Sequence, residues 1–430
     1  MAAKNLLDSR KGRLTSFGLL YVSEGIPYGF TSVAMVAIMR IEGLTLEQIG
    51  MFVAALFVPW SFKFAWAPLI DLVKLNRIGG RKAWIMGCLV MMIVTLVTTA
   101  LVDFVENFRL LIAMIVLNNL FCATQDVAID SLAVSTLKED ERARGNGFMF
   151  GGQYSGIAMG GGGAVFVFGI WGFDAALFYV SALQFLCLLL VIFFVTDPRA
   201  GEGAEIHAGS VLRKFAETLA DFLKVVYTSF FRSGRSPRIG LLFSVLPIGA
   251  LVLAYAALTT IQVDYGFSEM QIAKISVQNT IAGALGCIVG GLLADRFGIR
   301  RMLGIYYIVS VLPGLVLATY ITDVGLTAVP AAIVWGSLVV HGFLYGLCFG
   351  THAAVFMGMT NPAVAATQFT TFMAMGNLVI SYTNYWQGII AERFDYATVL
   401  YIDALLIIPP LMLIPFLRSR EEELGLATSS

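Results

Sequence analysis

Charge is scarce in this sequence. Lys, Arg, Asp and Glu make up 13% of the 430 residues, against 58% hydrophobic residues and a mean hydropathy of +0.82, whereas about a quarter of a soluble domain is charged. A soluble globular chain is excluded and an integral membrane protein expected. The 28 basic and 28 acidic residues cancel, so there is no basic excess to bind nucleic acid. Histidine occurs three times, and the five cysteines (Cys88, Cys122, Cys187, Cys287 and Cys348) all fall inside apolar stretches with no CxxC spacing. Disulfides, thiol catalysis and zinc are therefore unsupported, and no metal or cofactor is expected. With no HExxH, nucleophile elbow or nucleotide loop, an enzyme is not expected either. The basic start MAAKNLLDSRKGR leads into a long apolar run without a small-residue cleavage site. A retained first helix is expected, not a signal peptide.

What the chain does have is long apolar runs. Runs of about 20 residues, enough to span a bilayer, begin near Leu14, Ile49, Trp84, Leu110, Gly147, Ala175, Ile239, Ile272, Met302, Val329, Val364 and Tyr396, which predicts twelve transmembrane helices. Connections on the side of the N-terminus hold 23 of the 28 Lys and Arg, while the other side holds Arg40, Arg109 and Arg393. This bias places both termini in the cytoplasm. The longest connection suggests the division: a six-helix bundle over 1–195, a cytoplasmic linker over 196–238 and a second bundle over 239–430. Within the linker, VLRKFAETLADFLKVV sets Leu212, Phe215, Leu219, Phe222, Leu223 and Val226 on one helical face, with Ser210 as the expected N-cap. Such a helix suits the inner leaflet.

Polar residues within the spans mark the candidate site. In NLFCATQDVAIDSLAV, Asp126 and Asp130 lie four residues apart and Asn119 seven before Asp126, so a helix gathers them on one face, with Gln125 beside them. That face needs protein or water, and intramembrane acids point to function. Glu24 lies in the first span and Lys63 in the second, giving three acids against one cation. The simplest arrangement pairs Lys63 with one acid and leaves another to titrate; Asp126, Glu24 and Asp130 are the proton-coupling candidates. In the C-terminal half, His341, Tyr345 and His352 share a face of the tenth span, and Asn377 and Asn384 a face of the eleventh beside Tyr385 and Trp386. With Asn119, Gln125 and Tyr255 they are the candidate substrate contacts, since rings with a polar tip suit saccharide faces. The halves also repeat: Asp71 and Asp295 lie 224 residues apart, as do Gly25 and Gly249. A duplication directs the substrate site to the interface of the halves.

Gly291-Leu-Leu-Ala-Asp295-Arg-Phe-Gly298-Ile-Arg300-Arg301 resembles the signature loop of the major facilitator superfamily, with a looser counterpart around Asp71. Ser23-Glu-Gly-Ile-Pro27, the stretch from Pro59 to Asp71, and Ala123-Thr-Gln-Asp-Val-Ala-Ile-Asp130 are similar to the muropeptide permeases of AmpG type and their relatives, which include acetyl-CoA transporters and single-component siderophore permeases. Glu24 departs from a small residue common in the muropeptide group, and the tenth span lacks the acid expected there. The resemblance implies an all-α integral membrane fold of two pseudo-symmetric six-helix bundles. Loop residues Asp71, Arg81, Asp295, Arg296, Arg300 and Arg301 are expected to latch the cytoplasmic end, and the glycine faces of the fifth and eighth spans to permit rocking between halves. The expected activity is proton-coupled import of a bulky polar solute, muropeptide-like, across a bacterial inner membrane by a monomer whose partners are substrate, protons and lipid. A siderophore importer is the alternative, then an acetyl-CoA transporter, then a membrane sensor that transports nothing.

Overall fold

The structure, a computed structural model, describes residues 5–67, 70, 79–101, 106–137, 142–197, 208–232, 234–359 and 365–418. Among these there is no strand. In hydrocarbon every backbone N–H and C=O needs a partner, and helices supply one within the same segment. The first six membrane helices are α1 (Arg10–Ile41), α2 (Leu46–Ala65), α3 (Arg81–Thr99), α4 (Phe108–Thr136), α5 (Phe148–Trp171) and α6 (Phe173–Phe194). A linker helix follows, α7 (Ala208–Phe231). The seventh membrane segment is split into α8 (Ser236–Ser244) and α9 (Ala256–Tyr265). After it come α10 (Glu269–Phe297), α11 (Ile299–Val324), α12 (Ala331–Met359), α13 (Ala365–Arg393) and α14 (Tyr396–Phe416).

Ten of these helices are long and apolar enough to cross a membrane. The two remaining segments of the twelve differ for visible reasons. Leu-Pro-Ile-Gly at 246–249 breaks the seventh, with Gly249 at φ +70°, because proline removes a donor and positive φ ends a helix. The eleventh, α13, is 29 residues long but carries Gln368, Asn377, Ser381, Asn384 and Gln387. Helix starts follow side-chain capping: Ser9 Oγ accepts from Gly12 N at 3.1 Å, and Ser268 with Gln271 forms a capping box before α10. The linker helix begins at Ala208, so Ser210 lies in its first turn and not at its cap.

The chain divides into two compact units, Met1–Ile38 with Phe62–Leu219, and Met39–Ser61 with Ala220–Ser430. One boundary therefore falls within α7, and most of α2 clusters with the second unit. In the first unit α1 lies against α5 so closely that a Cβ on Gly152 would sit 2.0 Å from Gly18 O, and one on Gly160 1.9 Å from Ile26 O. Both helices open into five-residue π-helical segments, Phe30–Ala34 and Met159–Gly163. In the second unit α10 meets α12 in the same manner, with Gly286 against Phe343 O. The glycine faces of the fifth and eighth spans are thus filled within their own units, by α1 and α12. The second unit's core gathers Phe230, Phe243, Tyr307, Phe356 and Phe372, so the end of α7 is anchored there.

Candidate functional site

The first unit holds a buried polar cluster. On α4, Asp126 and Asp130 lie one turn apart. Lys63 Nζ, in the last turn of α2, pairs with Asp126 Oδ2. Asp130 Oδ1 accepts from the Tyr21 hydroxyl of α1 at 2.6 Å. One turn along α1, Glu24 Oε1 accepts from Gln153 Nε2 of α5 at 2.6 Å, while its buried Oε2 has no hydrogen-bond partner. Glu24 is 1% exposed and Asp126 4%. Gln125 donates to Ser23 Oγ at 2.8 Å, and Gln184 of α6 to Ser23 O at 2.8 Å, which fixes the α1 turn that carries Glu24. Asn119 Nδ2 bonds back to Ile115 O within α4. Three carboxyls and one ammonium therefore share one buried region, linked through α1, α4 and α5.

In the second unit the candidate residues fall into two groups. Tyr255 and Tyr345 bring their hydroxyls to 3.0 Å, with Phe57 edge-on to Tyr255 and His341 stacked on Tyr345. Tyr385 is exposed and Trp386 partly buried on α13. The other group serves backbone. His341 Nε2 lies 3.1 Å from Ala250 O, and Asn384 Oδ1 accepts from Ala256 N at 3.2 Å, both at the break of the seventh segment. Asn377 donates to Trp60 O at 3.4 Å. His352 sits in the aromatic core, its Nδ1 2.8 Å from the Tyr307 hydroxyl and its ring stacked on Phe243.

Of the loop residues, Asp71 lies outside the described residues. Arg81 opens α3 with its backbone N–H on Asp197 Oδ2 at 2.9 Å and its Nε on Ser131 Oγ at 2.7 Å, tying α3 to the end of α4. Asp295, Arg296 and Arg301 are exposed, Arg296 lying over the Phe297 ring. Arg300 Nη1 donates to Leu417 O at 3.1 Å and so holds the start of α11 to the end of α14. No group of three or more His, Cys, Asp and Glu suited to a metal occurs among the described residues.

Residues 17–384 match the family model described as Major Facilitator Superfamily. The chain belongs to this superfamily. It is similar to the anhydromuropeptide permease of Escherichia coli K12, 24% identical over 424 residues that cover 96% of this chain and 81% of that protein. It is also similar to the putative transporter AmpG 4 of Rickettsia conorii, 23% identical over 291 residues, 66% of this chain and 68% of that one. Among solved structures, the inward open xylose transporter XylE of E. coli matches with a TM-score of 0.71 at 13% identity, covering 97% of this chain and 99% of the other. The nucleoside transporter NupG matches with 0.67 at 15%, covering 94% and 99%. These likenesses show the fold of the superfamily, and membership makes this protein a multi-pass membrane transporter of small molecules.

Several residues on which the superfamily fold places polar contacts were not singled out from the sequence. Tyr21 and Gln153 are neutral, and a lone tyrosine or glutamine in an apolar run carries little signal. Asp403 is different. It stands within the apolar run YATVLYIDALLIIPP, so the rule that marks Asp126 marks it equally. Arg40 and Asp264 form a two-pronged ion pair at 2.5 and 2.8 Å, and the Tyr396 hydroxyl donates to Asp264 Oδ2 at 2.7 Å. Their signal lay in the spacing, because 40 and 264 differ by the repeat offset of 224.

Proposed function

We infer that this superfamily member couples the inward movement of protons to import of a bulky polar organic solute of the muropeptide kind. It does so as a monomer in a bacterial inner membrane, with both termini in the cytoplasm and access alternating between the two sides. The observation that carries the reading is the cluster of Glu24, Asp126 and Asp130 around Lys63. One ammonium cannot neutralise three carboxylates at once, so charge pairing leaves the proton inventory of the cluster open to change. Because Asp126 and Asp130 share a face of α4, Lys63 has a second carboxyl one turn from the first. A proton gained by Asp126 frees Lys63, and one lost restores the pair. Glu24 and Tyr21, three residues apart on α1, pass the change to α5 through Gln153 and to α4 through Asp130.

The muropeptide reading is supported by the similarity to the anhydromuropeptide permease of E. coli, and by the aromatic group of Tyr255, Tyr345 and Phe57, whose rings and hydroxyls suit a sugar face. Tyr385 and Trp386 add rings on α13. Arg81, Asp295, Arg296, Arg300 and Arg301, with Asp71, serve as the cytoplasmic latch. The test is uptake of an anhydromuropeptide into proteoliposomes under an imposed pH gradient. Accumulation is expected when the side of substrate entry is the acidic one. Asp126→Asn is expected to lose accumulation and keep exchange between equal concentrations. Undiminished gradient-driven uptake by that variant would remove Asp126 from the mechanism.

A further inference from the structure

The mechanism above leaves one buried acid unused. Asp403 of α14 is 3% exposed. Its Oδ2 accepts from the backbone N–H groups of Leu251 at 2.9 Å and Val252 at 3.2 Å, which lie in the break between α8 and α9. Its Oδ1 lies 3.5 Å from Gln387 Nε2 of α13. On the other side of the same short stretch, His341 Nε2 of α12 holds Ala250 O, and Ser310 Oγ of α11 accepts from Ala250 N at 3.1 Å. The break is thus clasped by side chains from three helices, α11, α12 and α14, in keeping with the need to satisfy every backbone group at this depth.

Asp403 and His341 also border one cavity of about 10 Å³, about the space that one water needs. Its remaining lining is apolar, including Leu253 in the break, Val311 of α11 and Leu400 of α14, so these two are the titratable groups that face it. His341 Nδ1 is buried without a hydrogen-bond partner, and so is Gln387 Oε1. With Nε2–H given to Ala250 O, Nδ1 is an acceptor. The Asp403 carboxylate and His341, whose Nδ1 lacks a donor, border this water-sized space together, and a proton supplies the donor that Nδ1 and the carboxylate lack.

We propose that Asp403 and His341 form a second proton-binding site, in the second unit, that controls the break in the seventh membrane segment. In the charged state the Asp403 carboxylate holds two backbone amides by charge-assisted bonds. A proton from water, taken up as the carboxylate becomes a carboxylic acid, removes that assistance, which roughly halves the strength of such bonds. The clasp on Leu251 and Val252 loosens, and the break becomes a hinge. His341 sits across the cavity as the second base and tunes when this occurs. The site is distinct from Glu24, Asp126 and Asp130, and its properties can be measured without substrate.

The experiment is pH-difference infrared spectroscopy of the full chain in lipid vesicles, joined to hydrogen exchange of peptides covering 246–256, corrected for intrinsic rates. A carboxylic-acid C=O component is expected to grow in as pH falls, to be missing in Asp403→Asn and to remain in Asp126→Asn and Glu24→Gln. Exchange over 246–256 is expected to rise across that same titration in the unaltered protein, and in Asp403→Asn to be fast at both ends of it. An infrared difference unchanged by Asp403→Asn, or a segment equally protected at every pH, would overturn the proposal. Should Asp403→Asn fail to fold, His341→Gln decides. The component is expected to persist with a shifted midpoint, and an unshifted midpoint would separate His341 from the site.

Discussion

Lys63 and Asp126 show what single residues contribute at this depth. Removing one partner of a buried ion pair strands the other charge, whereas removing both leaves an apolar contact. Lys63→Met is therefore expected to lower stability by about 3 kcal/mol, and Lys63→Met with Asp126→Leu to recover most of it, as measured by thermal unfolding in detergent. A double variant as unstable as the single one would mean that Lys63 acts through other contacts. Glu24→Gln can keep one contact with Gln153 and cannot exchange a proton. It is expected to fold and to lose gradient-driven uptake; full uptake would exclude Glu24 from coupling. The acids were legible because a carboxylate in an apolar run is costly. Their partners Tyr21 and Gln153 were not, since which neutral side chain meets an acid depends on helix packing that spacing alone leaves open.

At the scale of helices, the contact of α1 with α5 depends on missing side chains. Gly151 and Gly152 are neighbours in sequence, yet a Cβ on Gly152 would lie 2.0 Å from Gly18 O, while one on Gly151 would meet nothing within 4 Å. Gly152→Leu is expected to cost about 3 kcal/mol or more, since overpacking forces backbone apart, and Gly151→Leu to change stability little, both read from thermal unfolding. Equal effects would show that α1 and α5 do not pack as described. The glycine spacing was visible in the sequence and marked close helix packing; which helices meet there, α1 with α5 and α10 with α12, was not legible. The break of the seventh segment was likewise written in Pro247 and Gly249. What sequence did not reveal was that Asp403, His341, Ser310 and Asn384 would satisfy the freed backbone.

At the scale of the whole molecule, the 224-residue offset that suggests a duplication also relates Arg40 at the end of α1 to Asp264 at the end of α9. Their bidentate pair, joined by the Tyr396 hydroxyl, lies within the second unit, as does the bond from Leu46 N to Glu392 at 2.7 Å. Arg40 and Asp264 are about one-fifth exposed, so a double-mutant cycle with alanine is expected to return a coupling of about 1 kcal/mol. No coupling would reduce the pair to a surface contact. Twelve spans and the superfamily were legible from apolar run length and the Asp295 loop, because the bilayer allows few solutions. The grouping of Met39–Ser61 with the second unit was not legible, since it depends on which bundle the second span packs against.

Transport by this protein is proposed to move protons with the cargo. The direct test is anhydromuropeptide uptake by the unaltered protein in proteoliposomes, with the external medium acidic, symmetric or alkaline relative to the lumen. Accumulation above the external concentration is predicted with the acidic medium and equilibration alone with the symmetric one. Uptake that reaches the same level in all three would contradict proton coupling.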